Sequence, residues 1–218
     1  MSAILHGQNT ATTDWYKQLF QTYQQGLNGH KNHPLAQFRL AAYQQLEAEA
    51  FPTRRDEDWK YSGAPVARMM DTHFQEATAT QLTATDIAAF RIPNLEAATF
   101  VFVNGVLQRE LSEFDKVPAG VELLTVSAAI EDEEKRQWME QQVAHAGGTE
   151  QNTFLALNRA FAQHGLYIEV SANAQVELPI HCLYLNTAVE QAHQSHPQMF
   201  VRSRKGSEFS VIESYQVA

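Results

Sequence analysis

The sequence predicts an α+β chain with a helical and mixed region over residues 1–165 and a region of strands alone over 166–218. Three observations carry this reading. Apolar residues recur at helical spacing in the N-terminal part. Asn104-Gly105 sits between two β-branched and aromatic runs, the pattern of a tight hairpin. After Gly165 helical periodicity gives way to short β-like runs separated by polar breaks. Strands that follow one another without crossover helices form a sandwich, a barrel or a solenoid, and periodicity does not choose among these.

The elements follow in order. Residues 12–27 read as an amphipathic helix capped by Thr13, with Trp15, Leu19, Tyr23 and Leu27 on one face. Pro34 suits the first turn of a second helix running to about Ala50, with Leu35, Phe38, Ala42 and Leu46 inward. Pro52 stops it, and the charged run that follows keeps Trp59 and Tyr61 as the residues to bury. Residues 62–98 read as irregular, with a short helix near Ala84–Phe90. Thr99–Val103, Asn104-Gly105 and Val106-Leu107 make the hairpin, and Val121–Val126 a short strand. Ser127 is placed to cap a helix over 128–146, ended by Gly147-Gly148; a shorter helix covers about 152–163, with Gly165 as its C-cap. The strands are then Leu166–Val170, Leu178–Leu185, Met199–Ser203 and Phe209–Val217. The chain stops inside an alternating strand, which reads as a truncated domain.

Composition bounds the function. A net charge of −9 argues against a nucleic-acid or anionic-membrane partner, since either asks for a positive surface. Cys182 is the single cysteine, so no disulfide forms within the chain, which fits a reducing cytoplasm. Met1–Asn9 has neither a basic n-region nor an apolar h-region, so no signal peptide is expected. Neither a phosphate-binding glycine loop nor a G-x-S-x-G elbow occurs.

Several residues invite chemistry. His181-Cys182 suggests a nucleophile or metal ligand, but alternation sets Ile180, Cys182 and Tyr184 on one face, and a buried cysteine acts as a small apolar side chain. His193 and His196 have a metal-sharing spacing, yet Pro197 follows and the context is a loop; His30 and His33 carry less. The acidic run Glu131–Glu134 suits a helix start in water. Arg202, Arg204 and Lys205 read as a solvated strand face. No aspartate follows Asp132, which weighs against a glycan-cleaving enzyme built on paired carboxylates. No catalytic, cofactor-binding or metal residue is therefore assigned, and no cofactor is expected.

The run Phe51-Pro52-Thr53-Arg54-Arg55-Asp56-Glu57-Asp58-Trp59-Lys60-Tyr61 resembles an opening signature of the SufB/SufD family of iron–sulfur cluster assembly scaffold proteins, and of its SufD branch in particular. Phe100–Leu107 leading to Leu111-Ser112, Pro118–Val121, Leu157–Phe161 running into Gly165–Ile168, Glu177–Ile180 and Val211–Tyr215 continue the resemblance in order. It spans about 51–217. The resemblance implies an N-terminal helical region followed by the first coils of a right-handed parallel β-helix, a β-solenoid. It implies a non-catalytic, cytoplasmic subunit acting with a SufB-like scaffold and a SufC-like ABC ATPase, whose docking and cluster-handling residues lie beyond Ala218. Self-association of this chain is a further expectation. The alternatives are a β-helix carbohydrate-active or carbohydrate-binding protein and an ABC-ATPase accessory protein.

Overall fold

A computed structural model describes residues 10–26, 34–48, 51–52, 57–63, 66, 72, 74–76, 80–146, 153–162, 164–187 and 192–218. Its helices are α1 (Thr10–Gly26), α2 (Pro34–Ala48), α3 (Ala84–Ala88), α4 (Val126–Ala129), α5 (Glu133–Ala146) and α6 (Thr153–Ala160). Its strands are β1 (Gln75–Glu76), β2 (Ala98–Val103), β3 (Val106–Leu107), β4 (Val121–Thr125) and β5 (Gly165–Val170). They continue as β6 (Ile180–Asn186), β7 (His193–Gln194), β8 (Gln198–Ser203) and β9 (Val211–Val217). No helix among the described residues is long and apolar enough to cross a membrane. The chain forms two units, each discontinuous: Met1–Phe74 with Glu133–Ala162, and Gln75–Asp132 with Gln163–Ala218.

The first unit is helical, and aromatic rings hold it. Tyr16, Phe20 and Tyr23 of α1 meet Ala42, Tyr43 and Leu46 of α2 and Ala156, Leu157, Ala160 and Phe161 at and after α6. The Phe20 and Tyr43 rings stack 4.0 Å apart, and Phe161 meets Phe20 edge-on at 5.8 Å. These geometries match the ring quadrupole and add to the burial of area. Arg39 is buried in this core; its Nε donates to the Ala162 carbonyl and its guanidinium lies over the Tyr23 ring. A helix end leaves carbonyls without helical partners, and here an arginine meets one just past α6. The buried face of α1 is Tyr16–Phe20–Tyr23, with Trp15 and Leu19 at its flank, so the helix is turned by about one residue from the expected face. Tyr61 stands out in solvent at 91 % exposure, against the expectation of burial, while Trp59 is half-buried against Phe154. The Tyr61 ring follows the turn Glu57–Trp59, and the Lys60 ammonium lies over it, 5.7 Å from the ring centroid.

The second unit is built on two main sheets. One has the order β3-β2-β6-β9, with β2, β6 and β9 parallel; the other has the order β4-β5-β8, with β4 antiparallel and β8 parallel to β5. β1 pairs with β7. The hairpin forms as expected: Asn104 and Gly105 both take positive φ, as the primed turn requires, and Val103 faces Val106. Period-two alternation does the rest. Phe100, Phe102, Ile180, Cys182 and Tyr184 join Leu166, Ile168 and Val170 in the core shared by the two sheets. Val101, Val103, Leu183 and Leu185 face the other way and pack on Ile87 of α3. Thr83 caps α3 in a reciprocal box with Asp86.

Two local expectations fail for clear reasons. The expected helix over 128–146 is divided, because Thr125 rather than Ser127 caps α4, accepting from the Ala128 N–H at 3.1 Å; a turn at Ile130–Asp132 then precedes α5. Gly165 is no C-cap. It opens β5 where Gln198 of β8 approaches so closely that a Cβ would stand 2.0 Å from the Gln198 carbonyl oxygen.

Candidate functional site

His181 and Cys182 are adjacent in β6 and point to opposite faces. Cys182 lies fully buried between the sheets, directly across from Phe100 and Glu213 on the neighbouring strands. Burial, then the Glu213 charge, pushes its thiol up to about 12, against a smaller opposing hydrogen bond with Tyr184. A nucleophilic cysteine needs the thiolate at neutral pH, and here the thiol is the stable form. Cys182 fills space.

His181 faces the other way, buried, with its Nε2 2.8 Å from the Ser214 Oγ of β9. Burial and the nearby Arg91 charge lower the imidazole pKa, while Glu113 raises it by less, so the ring is neutral at physiological pH. Serine, histidine and glutamate together suggest a hydrolytic triad, but the chemistry does not follow. The Glu113 carboxylate accepts from the Thr99 N–H at 2.9 Å, from Lys116 at 3.0 Å and from Arg91 at 3.2 Å. Burial alone would raise its pKa; these partners outweigh that and hold it below the ordinary value. Among the described residues no hydrogen bond joins Glu113 to His181, so nothing orients the imidazole as a base. The set pins the loop after β3 to β2 and β9 to β6.

The remaining candidates spread apart. His193 lies in β7, opposite Gln75 of β1. His196 follows the strand; the residue is half-buried, its Nε2 is enclosed, and burial pushes the imidazole down to about 4. Among the described residues no group of three or more His, Cys, Asp and Glu side chains could hold a metal ion. His30 and His33 lie outside the described residues. Glu131, Asp132, Glu133 and Glu134 are exposed, the last two in the first turn of α5.

The basic residues differ from expectation. Arg202 faces Glu169 across the β5–β8 pair, and its side chain is only 14 % exposed. Arg204, in the turn after β8, donates to the same carboxylate at 2.6 Å, and the Tyr167 hydroxyl donates to it as well. Burial of Glu169 raises its pKa, but Tyr167 and the two guanidinium groups prevail and lower it. Lys205 alone of the three stays in the open. A second group that sequence patterning missed joins Asn104 to Thr187 and Thr80: Asn104 Nδ2 donates to Thr187 Oγ1 at 2.9 Å, and the Thr187 N–H returns to Asn104 Oδ1 at 2.9 Å. Both groups join strands and turns. Their partners are far apart in sequence, and strand register alone brings them together.

These clusters join strands and turns, and comparison with known proteins gives the context. The model of the SufBD protein N-terminal region matches residues 10–182. An iron–sulfur cluster assembly SufBD family protein of Synechocystis sp. is 25 % identical over 191 residues, which cover 87 % of this chain and 41 % of that protein. The matched part therefore spans about two-fifths of that relative's length. With the family model covering most of its length, the chain belongs to the SufBD family.

Proposed function

We propose that this chain serves iron–sulfur cluster assembly as part of a non-catalytic scaffold subunit of the SufD branch, acting in the cytoplasm with a SufB-like scaffold and a SufC-like ATPase. The family match over residues 10–182 carries the reading. The ordered segments from Phe51–Tyr61 to Val211–Tyr215 favour the SufD branch. The chemistry is consistent with a scaffold: the lone thiol is protonated and enclosed, and the charged clusters are spent on holding strands.

The reading extends to the fold. The path β5, β6, β8, β9 alternates between the two main sheets, and each strand lies parallel to the one before the last. Gly165 pairs with Gln198 and Ile180 with Val211, a step of roughly thirty residues in both sheets. The turns stack too: Gln175 bridges Glu208 in parallel, and Asn173 N–H donates to the Lys205 carbonyl at 3.0 Å. These relations support the first coils of a parallel β-helix, right-handed as parallel crossovers nearly always are. β2 and the antiparallel β4 would then form the layer that closes the near end.

The function is tested in cells. Depleting the chain should lower the activity of iron–sulfur enzymes, and re-expression should restore it; tagged chain should recover a SufB-like protein. Unchanged iron–sulfur enzyme activity on depletion would overturn the assignment.

A further inference from the structure

The hairpin turn Asn104-Gly105 holds a chemically labile pair inside a closed network. In an asparagine–glycine pair the glycine nitrogen attacks the asparagine amide carbon readily, because no side chain on the glycine shields it. Here the fold itself asks for glycine. Gly105 has φ 81°, and a Cβ there would stand 2.4 Å from the Ser195 Cβ. Asparagine is asked for as well: it tolerates the left-handed region at φ 50°, and its amide ties the turn to two threonines. Nδ2 donates to Thr187 Oγ1 at 2.9 Å and to Thr80 Oγ1 at 3.3 Å, while Oδ1 accepts from the Thr187 N–H at 2.9 Å. The Asn104 N–H donates to the Leu185 carbonyl at 2.8 Å, and the residue is 1 % exposed. The clamp thus joins the ends of β2 and β6, which are neighbours in the sheet.

We infer that Asn104 is a self-modification site, held unreactive in the folded chain by Thr187 and Thr80 and released when this part of the fold opens. The Gly105 nitrogen forms a bond to Asn104 Cγ, the Cγ–Nδ2 bond breaks, and the Gly105 amide proton leaves with Nδ2 as ammonia. The resulting five-membered succinimide takes up water, the one co-reactant. Opening at the former side-chain carbonyl gives aspartate; opening at the main-chain carbonyl gives isoaspartate. Attack requires Cγ to swing onto the Gly105 nitrogen, whereas the three bonds hold the amide toward the threonines. Breaking them inside the fold leaves buried polar groups without partners, so the reaction runs from opened molecules. The two products differ in their return. Aspartate keeps the backbone and an acceptor for the Thr187 N–H. Isoaspartate adds a carbon to the main chain of a two-residue turn, which destroys the step from Val103 to Val106. A chain that has stayed open long enough to form isoaspartate is therefore marked and kept from the native hairpin.

The test is peptide mapping by mass spectrometry after incubation in mildly alkaline buffer, with the chain folded and with it unfolded in urea. Asn28-Gly29, outside the described residues, is the second such pair and serves in urea as an internal reference for the unhindered rate. Asn104 should match Asn28 in urea and react at least about a hundredfold more slowly in the folded chain, as expected of a group freed only by local opening. Thr187→Val removes the hydroxyl and should raise the folded rate about tenfold, the factor for one buried hydrogen bond, with the rate in urea unchanged. Thr187→Ser keeps the hydroxyl and should hold the rate low. Circular dichroism checks that each variant is folded. Should Thr187→Val not fold, Thr80→Val takes its place with a smaller rise, because it removes only the longer bond. After dilution from urea, the refolded chain should carry aspartate and the fraction that stays unfolded should carry isoaspartate. Reaction of folded Asn104 at the urea rate, a folded valine variant that reacts no faster than the unaltered chain, or isoaspartate shared equally between the two fractions overturns the inference.

Discussion

The ring of Tyr215 lies face to face on that of Tyr184, with centroids 4.7 Å apart and planes 8° from parallel. Tyr184 in turn stacks on Phe102 at 4.8 Å. The three occupy one register position on β9, β6 and β2, so a single aromatic column runs across the sheet. Burial grades along it: Phe102 is fully enclosed, Tyr184 nearly so and Tyr215 mostly exposed. Burial, helped by the neighbouring Cys182 and Glu213, raises the Tyr184 hydroxyl's pKa far above its ordinary value.

The column predicts an unequal response to truncation. Tyr184→Ala removes a ring packed on both faces and should cost about 3–5 kcal/mol, as for other large buried rings. Tyr215→Ala removes a ring packed on one face and should cost less than about 1 kcal/mol. Urea unfolding measures both. Equal costs would mean that the rings do not stack as a graded column in solution.

Gly165 gives a backbone prediction. The atom that a side chain would strike is the carbonyl of Gln198, part of the β5–β8 ladder, and no rotamer change can move it aside. Gly165→Ala should therefore cost about 2–4 kcal/mol, through strand displacement rather than lost apolar contact. The urea midpoint should fall accordingly. A midpoint within experimental error of the unaltered chain would show that the two strands stand farther apart than the structure has them.

Trp59 and Tyr61 separate within one short turn. Trp59 is half-buried and meets Phe154 at 5.4 Å, so Trp59→Ala should cost about 1–3 kcal/mol, below the figure for a fully buried indole. Tyr61→Ala, at an almost fully exposed site, should change stability by no more than about 0.5 kcal/mol. Thermal or urea unfolding of both variants decides. A large loss at Tyr61 would move that ring into the core.

Much of this was legible in the sequence where one local rule governs. The Asn104-Gly105 turn, the start of α2 at Pro34 and the split of Cys182 and His181 onto opposite faces each follow from one residue type or one period. What escaped depends on register between distant segments. Glu169 meets Arg202 because β5 and β8 pair in step, and Asn104 meets Thr187 because β2 and β6 do. Nothing local marks Gly165 as a strand residue either, since its reason is the Gln198 carbonyl on another strand. Tyr61 failed for another cause: aromatic character does not by itself dictate burial, and this ring stays in solvent under the Lys60 ammonium.

The histidines give the pH dependence. His196 titrates at about 4 in the folded chain against an ordinary 6.5, because burial disfavours the charged ring. A base whose pKa is lowered by folding binds its proton more readily when unfolded, so its contribution is complete above 6.5 and is lost as the pH falls toward 4. His181 is shifted the same way and adds to the loss. Glu113 and Glu169 also lose stabilisation in acid, but their folded values lie below an ordinary 4.5, so they take over only beneath that pH. The interval between 6.5 and 4.5 therefore belongs mainly to the histidines, and His196 should supply about 2 kcal/mol of the loss there. Urea midpoints measured across this interval should fall steadily with acidification in the unaltered chain. His196→Gln keeps the size and polarity of the side chain without its titration, so its midpoints should fall markedly less over the same interval. If both proteins trace the same slope, His196 is reached by water in solution and its burial does not set the acid response.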